Sequence, residues 1–341
     1  MEGKGGKKGT VCVTGAAGFL ASWLVKRLLL SGYHVRGTVR DPEDRDKVAH
    51  LWELEGAGER LQLVRANLME EGSFDDAVWG CEGVFHTASP VVVVKSDPKG
   101  EILDPAIKGT LNVLRSCKKN PSLRRVVLTS SSSAVRVRPR EDFDPSVPLN
   151  ETSWSSVDLC QRLQIWYPLA KVLSEKAAWK FAGENQLDLV TVLPSFIVGP
   201  SLPRQPCKTV SDVVGLLKGK TDGFAWYGRM GYAHIDDVAS CHILVYEAPA
   251  ASGRYLCSST VLDNHELAAR LAARYTWLPI PRRFDNPLRV ESPFYDLDTS
   301  KLQSMGFKFR GIEDMFDDVI ESVEELGRGL TSILPREKNV V

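Results

Sequence analysis

What this sequence lacks narrows its chemistry. It contains no CxxC pair, and its seven cysteines (Cys12, Cys81, Cys117, Cys160, Cys207, Cys241 and Cys257) are odd in number and widely scattered. That pattern is not one of a disulfide framework or a zinc site, and it suits a reducing compartment. Neither sign of charge is in excess, since Lys+Arg and Asp+Glu are both 43. No global basic surface is therefore present to recruit nucleic acid or an anionic membrane. No apolar stretch approaches the length of a bilayer span, so no integral membrane segment is expected. Internal repeats are absent, and the only low-complexity stretch is Met1–Lys8. Being Gly/Lys-rich without an apolar core, it reads as a loose tail over residues 1–9 rather than a signal peptide. These absences leave a globular cytoplasmic protein, and nothing in them sets an oligomeric state.

What is present points to an α/β protein. The 341 residues, 43% hydrophobic, suffice for one large domain or two closely joined ones. Val11–Gly15, His34–Arg40, Leu61–Val64, Gly83–His86, Arg125–Thr129 and Leu187–Leu193 are short, β-branched strand patterns. Helical patterns fall between them at Phe19–Leu30, Asp44–Glu55, Ser73–Val78, Ile102–Ser116 and Leu169–Gly183. Such alternation predicts βαβ units and a Rossmann-type doubly wound parallel sheet. Past Pro194 the texture changes, with Pro200, Pro203 and Pro206 close behind and a second Pro-rich loop at Pro279–Pro293. Helical stretches are expected at Asp236–Glu247, His265–Tyr275 and Ile312–Leu326. The division predicted is a nucleotide-binding domain over 10–194 and a smaller substrate lobe over 195–341. Within that lobe, about 230–258 returns to the Rossmann domain.

Two clusters carry chemistry. Gly15-Ala16-Ala17-Gly18-Phe19-Leu20-Ala21 lies between a strand and a helix. Small residues there let the backbone approach a pyrophosphate, which the free N–H groups of the helix start then face. The spacing is GxxGxxA rather than GxGxxG, and a glycine here can also serve a strand-to-helix turn for steric reasons alone. After the second strand, Arg40 and Lys47 suit the 2′-phosphate of NADPH. Asp41, if turned inward, would favour NADH. The second cluster is Tyr167 with Lys171, four residues apart on one helix face. A free phenol titrates near ~10, so proton exchange at neutral pH needs a neighbouring cation that favours the phenolate. Ser130–Ser133, at the end of a strand, offers a hydroxyl to polarise a carbonyl. Pro168 places the start of the Tyr–Lys helix near Tyr167, or a kink there.

Shorter features admit plainer readings. His86, at a strand end, could bind substrate but reads in preference as a packed core histidine. Asp236-Asp237, at a helix start, reads as a pair that caps N–H groups and complements the dipole, with no metal. Phe196, Phe224, Trp226 and Tyr227 either line an apolar pocket or simply form core.

Taken together, Val13–Phe19, Thr38–Pro42, Gly83–Pro90, Leu128–Ser131, Tyr167–Lys171, Leu193–Ser195 with Gly199-Pro200, and His234–Val238 resemble the extended short-chain dehydrogenases/reductases of the plant dihydroflavonol reductase and cinnamoyl-CoA reductase group. The likeness runs from Val11 to about Gly327. It implies Ser131, Tyr167 and Lys171 as the catalytic set, with Ser132 as the alternative serine. For the NADPH/NADP cofactor it implies Gly15, Ala17, Gly18, Phe19 and Leu20 at the pyrophosphate, and Arg40 with Lys47 at the 2′-phosphate. Asn67 and Leu68 would meet the adenine, Thr87, Ala88 and Ser89 would lie along the cofactor, and Pro194, Ser195, Phe196 and Ile197 would lie beside the nicotinamide. Asn67 stands where the group has aspartate. Ile165–Lys171 replaces the cinnamoyl-CoA reductase signature, and the detail of Thr129–Val135, Trp166–Lys171 and Leu193–Pro203 is most similar to tetraketide α-pyrone reductases. The resemblance therefore implies reduction of a ketone on a small hydrophobic polyketide, in sporopollenin formation for the pollen wall. It places the protein in the cytoplasm, or at the endoplasmic reticulum surface through pathway partners. Dihydroflavonol or cinnamoyl-CoA reduction, epimerase or dehydratase chemistry, and non-catalytic NADPH sensing are the competing functions.

Overall fold

The computed structural model of the chain describes residues 8–89, 96–224, 228–282, 284 and 294–325. Its first half winds through β1 (Thr10–Thr14), α1 (Phe19–Leu30), β2 (His34–Val39), α2 (Arg45–Trp52), β3 (Leu61–Arg65), β4 (Gly83–His86), α3 (Asp104–Lys119) and β5 (Arg125–Thr129). Then come α4 (Trp166–Asn185), β6 (Leu189–Pro194), β7 (Phe196–Val198), α5 (Lys208–Leu217), β8 (Arg229–His234) and α6 (Ile235–Glu247). The chain continues as β9 (Gly253–Cys257), β10 (Thr260–Asp263), α7 (Asn264–Arg274) and α8 (Ile312–Glu325).

Seven strands form one sheet in the order β3-β2-β1-β4-β5-β6-β9, and every pairing in it is parallel. Both faces are covered, which explains why the strands read as near-continuous apolar runs. Val11 and Val13 of β1 pack with Leu24 and Leu28 of α1 and Val238 and Val245 of α6. Cys12, between them, faces the other way and joins Leu114 of α3 and Ala178 of α4. The period of two along the strand thus assigns alternate residues to opposite layers. Strand order reverses between β1 and β4, and there the crevice above the strands' C-terminal ends receives ligands in folds of this type.

A second sheet, β10-β8-β7, lies past Pro194. The chain passes from one sheet to the other across the single residue Ser195, whose N–H donates to the Cys257 carbonyl at 3.0 Å. The small sheet has its own core, in which Phe224, Tyr232, Leu267 and Phe316 pack with α5, α7 and α8. Its strands have three to six residues and no clean alternation, so none was legible as a strand. Meanwhile α6 packs on the large sheet and β9 extends it, pairing with β6.

The Tyr–Lys helix begins at Trp166, next to Tyr167 as expected, and Pro168 falls in its first turn, where the missing N–H costs no intrahelical bond. One expectation is corrected. Asp236 and Asp237 are not principally caps, because the side chain that caps α6 is His234, which accepts the Asp236 N–H at 3.1 Å. The two carboxylates take Arg310, and Asp236 also takes the Trp23 indole N–H at 2.9 Å. They therefore join the front of α8 to α1. Among the described residues no group of acids, histidines and cysteines has metal-holding geometry, and no helix is long and apolar enough to cross a membrane.

Candidate active site

The glycine turn is built from below by β2. Gly15 adopts φ +66°, a left-handed conformation that glycine reaches without Cβ strain. A Cβ there would also lie 3.1 Å from that of Ala88. The Gly15 N–H donates to Thr38 Oγ1 at 3.1 Å, and the Ala16 N–H donates to the Thr38 carbonyl at 2.8 Å. Gly37, in the middle of β2, must lack a side chain, since a Cβ would come 2.7 Å from Ala16 Cβ. Helix α1 then starts after Gly18 with no side-chain cap and no acid in its first turn. Its first N–H groups and dipole are left for an anion.

Thr14, just before that turn, ties it to β4. Its hydroxyl oxygen accepts the N–H groups of Thr87 at 3.1 Å and Ala88 at 3.0 Å. With both lone pairs used, its O–H donates to His86 Nδ1, 2.9 Å away. His86 is consequently a neutral imidazole. Burial, and secondly the charge of Lys171, push its pKa down to about 3. The expectation of a packed histidine fits this position, which also sets the Thr87–Ser89 backbone.

At the ends of β2 and β3 the partners sort the candidates. Asp41 Oδ1 accepts the Glu43 N–H at 2.9 Å, closing a local turn instead of facing the crevice. Arg40 is exposed and makes no hydrogen bond or ion pair among the described residues. Lys47 leans back onto Asp44 Oδ2 at 2.5 Å, an exposed pair of small net worth. Asn67 is engaged in its own turn, with Oδ1 accepting the Met69 N–H at 3.1 Å and Nδ2 donating to Glu70 at 3.0 Å. Leu68 packs on α3, whose Asn112 amide donates to the Leu68 carbonyl at 2.8 Å.

The candidate catalytic residues converge at the end of β5. Lys171 is buried, and its Nζ donates to the Thr129 carbonyl at 3.4 Å. Tyr167, one turn earlier, is 38% exposed, with its ring centroid 5.9 Å from that ammonium. Ser131 caps a short 3-10 turn (Ser132–Ala134), its Oγ accepting the Ser133 N–H at 3.1 Å. That bond occupies a lone pair and leaves the Ser131 O–H as a donor. Ser130 is committed elsewhere, donating to Glu175 at 2.6 Å. Behind Thr129, His242 Nδ1–H donates to the Val238 carbonyl at 2.7 Å, and its Nε2 accepts the Thr129 hydroxyl at 2.7 Å. Burial pushes this second imidazole down to about 4.

Of the residues expected beside the nicotinamide, Pro194 and Ser195 lie at the switch between sheets. Phe196 turns its ring into the second core, 5.4 Å from Phe224 and 6.0 Å from Tyr232. Phe224 itself is core, while Trp226 and Tyr227 lie outside the described residues. A cleft of about 320 Å³ opens past Ile197, lined by Gly199–Ser201, Val210, Val214 and Val319 among others. None of Ser131, Tyr167 or Lys171 lines it, so it adjoins the candidate centre along the chain without containing it.

Sequence reasoning missed Thr14, Gly37, Glu175, His242 and Arg254. Two of these carried a signal. Gly37 is a glycine inside a strand, which marks close backbone approach, and Thr14 is a polar residue ending an apolar run.

Comparison with known proteins shows which proteins this chain is similar to. Residues 11–257 match the NAD dependent epimerase/dehydratase family. The chain is 65% identical to tetraketide alpha-pyrone reductase 1 of Arabidopsis thaliana over 328 residues, 96% of this chain and 99% of that protein. It is 45% identical to a cinnamoyl-CoA reductase of Medicago truncatula, covering 92% and 95% respectively. Yeast methylglyoxal/isovaleraldehyde reductase, solved complexed with NADPH, superposes with a TM-score of 0.81 at 28% identity over 94% of this chain and all of that one.

Proposed function

The chain belongs to the NAD dependent epimerase/dehydratase family, and from that membership we propose that it is an NADPH-dependent reductase of a ketone on a hydrophobic polyketide-type substrate, specifically a tetraketide α-pyrone. The observation that carries the reading is the convergence at β5. Lys171 is pinned to the carbonyl of Thr129, two residues before Ser131, with Tyr167 one turn away. The similarity to tetraketide alpha-pyrone reductase 1 supports the substrate class.

The residues present fit the cofactor. Gly15, Ala17, Gly18, Phe19 and Leu20 would hold the pyrophosphate through backbone N–H groups at the uncapped start of α1. Arg40 would take the 2′-phosphate, joined by Lys47 once it leaves Asp44. Asn67 and Leu68 would border the adenine, and Thr87–Ser89 would run along the cofactor. Pro194–Ile197 would flank the nicotinamide, Phe196 through its backbone. When bound, the reduced nicotinamide supplies the hydride. The protein's part is to hold the ketone and handle the proton. Ser131 donates its free O–H to the carbonyl oxygen, polarising the bond. Tyr167 delivers its phenolic proton to that oxygen, and the Lys171 ammonium stabilises the phenolate left behind.

Domain roles follow the two sheets, with 10–194 binding the nucleotide and 195–341 mainly forming the substrate lobe. The apolar cleft past Ile197 is a suitable berth for an alkyl tail. The free thiols support residence in the reducing cytoplasm.

Turnover of a hydroxyalkyl-pyrone ketone, a dihydroflavonol and cinnamoyl-CoA, each with NADPH and NADH, tests this reading. The pyrone ketone with NADPH is expected to give the highest kcat/KM, with stoichiometric NADPH consumption. Tyr167→Phe is expected to lower turnover by about 10²–10⁴-fold while NADPH affinity stays within a few-fold. Preference for cinnamoyl-CoA would overturn the substrate class, and full activity of Tyr167→Phe the mechanism.

A further inference from the structure

The most deeply buried carboxylate among the described residues, Glu175, has no part in the chemistry above. It lies on α4 one turn past Lys171 and two past Tyr167, and is 1% exposed. Five hydrogen bonds reach it. Ser130 Oγ donates to Oε2 at 2.6 Å, and Thr191 Oγ1 and Trp179 Nε1 donate to Oε1 at 3.0 and 3.3 Å. Arg254, itself 7% exposed, donates from Nε at 2.8 Å and from Nη2 at 3.3 Å. The donors come from the end of β5, from β6, from β9 and from α4 itself.

Arg254 extends the network to the far side of the serine run. Its Nη1 donates to the carbonyls of Glu151 and Ser153 at 2.8 and 2.6 Å, and its guanidinium lies 3.8 Å over the Trp154 ring. The same segment returns to the serines, for Ser155 Oγ donates to the Ser133 carbonyl at 2.8 Å and the Ser155 N–H to the Ala134 carbonyl at 2.8 Å. The run is thus held at its first residue by Glu175 and at its last through Arg254 and residues 151–155. A buried ion pair is weak evidence for stability, because well-packed apolar residues of similar volume often do as well. This pair is better explained by what it joins.

We propose that Glu175, braced by Arg254, is a positioning residue for the reduction. One carboxylate grips the serine run and rides the helix that carries Tyr167 and Lys171, so it sets the separation between the Ser131 hydroxyl and the phenol. The inference rests on the assignment of Ser131, Tyr167 and Lys171 made above. Errors of about 1 Å in such a separation can cost 10²-fold in rate, whereas substrate and cofactor, held mainly elsewhere, bind almost as before.

Ser130→Ala is the decisive variant, since it cuts the bond between the carboxylate and the serine run and leaves the Glu175–Arg254 pair in place. The full-length enzyme with NADPH and a hydroxyalkyl-pyrone ketone is expected to lose about 10-fold or more in kcat, with KM and NADPH affinity within about twofold. Glu175→Gln is expected to lose at least as much. The double variant should fall little further than Glu175→Gln alone, because Ser130→Ala acts only through its bond to the carboxylate that Glu175→Gln already alters. A wild-type kcat in Ser130→Ala, or full additivity in the cycle, overturns the proposal. So does a lowered Tm with kcat unchanged below the transition, which is the mark of a merely structural role. If Glu175→Gln does not fold, Ser130→Ala alone decides. Tyr167→Phe, run in parallel, separates the failures. An active Tyr167→Phe removes the underlying assignment, whereas an inactive one beside an unaffected Ser130→Ala removes only the positioning role.

Discussion

Arg40 and Asp41 stand side by side after β2, and their different partners support the proposal that Arg40 addresses the cofactor. The sequence names both, one favouring a 2′-phosphate and the other a free ribose, and cannot choose between them. The proposed choice rests on a local hydrogen bond, because Asp41 closes a turn onto Glu43 while Arg40 stays exposed and unengaged among the described residues. Charge-assisted hydrogen bonds are worth about 1.5–3 kcal/mol, or roughly 10–150-fold in affinity. Arg40→Ser should therefore weaken NADPH by about that factor and leave NADH nearly unchanged, whereas Asp41→Asn should shift the preference by less than about threefold. Fluorescence titration of both nucleotides checks this, and an unaltered NADPH/NADH ratio in Arg40→Ser would count against the 2′-phosphate role. Tyr167, Lys171 and the serines were legible because their chemistry and spacing are local. Glu175 with Arg254 was not, since their sequence separation of 79 is closed by topology and neither residue stands out alone.

Among the secondary-structure elements, β2 shows how a strand can be shaped for its neighbour instead of for its own stability. Glycine inside a strand is unfavourable, having no side chain to pack and more backbone freedom to lose. It is kept at Gly37 because the Ala16 methyl of the nucleotide turn occupies the space a Cβ would take, with Leu63 Cδ2 a further 3.1 Å constraint. Gly37→Ala is expected to push the turn off its seat on Thr38, destabilising the fold by about 1–3 kcal/mol and weakening NADPH at least several-fold. Urea unfolding and nucleotide titration measure the two effects. A variant as stable and as tight-binding as the parent would show that the turn yields freely. The large-sheet elements were readable because burial on both faces writes them as apolar runs with helices between. Thus α1, β4 and β5 keep the bounds their patterns predict. The strands of the small sheet were hidden, for β8 reads Arg-Met-Gly-Tyr-Ala-His and carries no alternation to detect.

For the molecule as a whole, buried imidazoles make stability depend on acid, and of the four among the described residues (His50, His86, His234 and His242) His86 and His242 are displaced furthest. His86 ends β4 and bonds Thr14 of β1, and His242 lies on α6 and bonds Thr129 at the end of β5, each held neutral by accepting a threonine hydroxyl on one ring nitrogen. Burial lowers the folded-state pKa of His242 to about 4 and of His86 to about 3, against 6.5 for an exposed histidine. Between these values the unfolded chain binds protons that the folded chain refuses, so stability rises with pH across the window. The contribution is fully present above about pH 6.5 and is lost as the pH falls toward 4, at no more than about 1.4 kcal/mol per pH unit for each histidine. Asp236, whose pairing with Trp23, Arg27 and Arg310 outweighs its burial, titrates below the ordinary carboxylate range, so it adds little above pH 4.5. Unfolding free energy measured at pH 7 and pH 5 should therefore drop by a few kcal/mol. His242→Gln, which keeps a side-chain amide to meet Thr129 and Val238 but cannot protonate, should be less stable at pH 7 yet show a slope smaller by about one proton. An unchanged slope would mean that His242 is already charged in the folded enzyme. It would then donate to Thr129 instead of accepting from it, and the carbonyl end of β5 that holds Lys171 would rest on a cation.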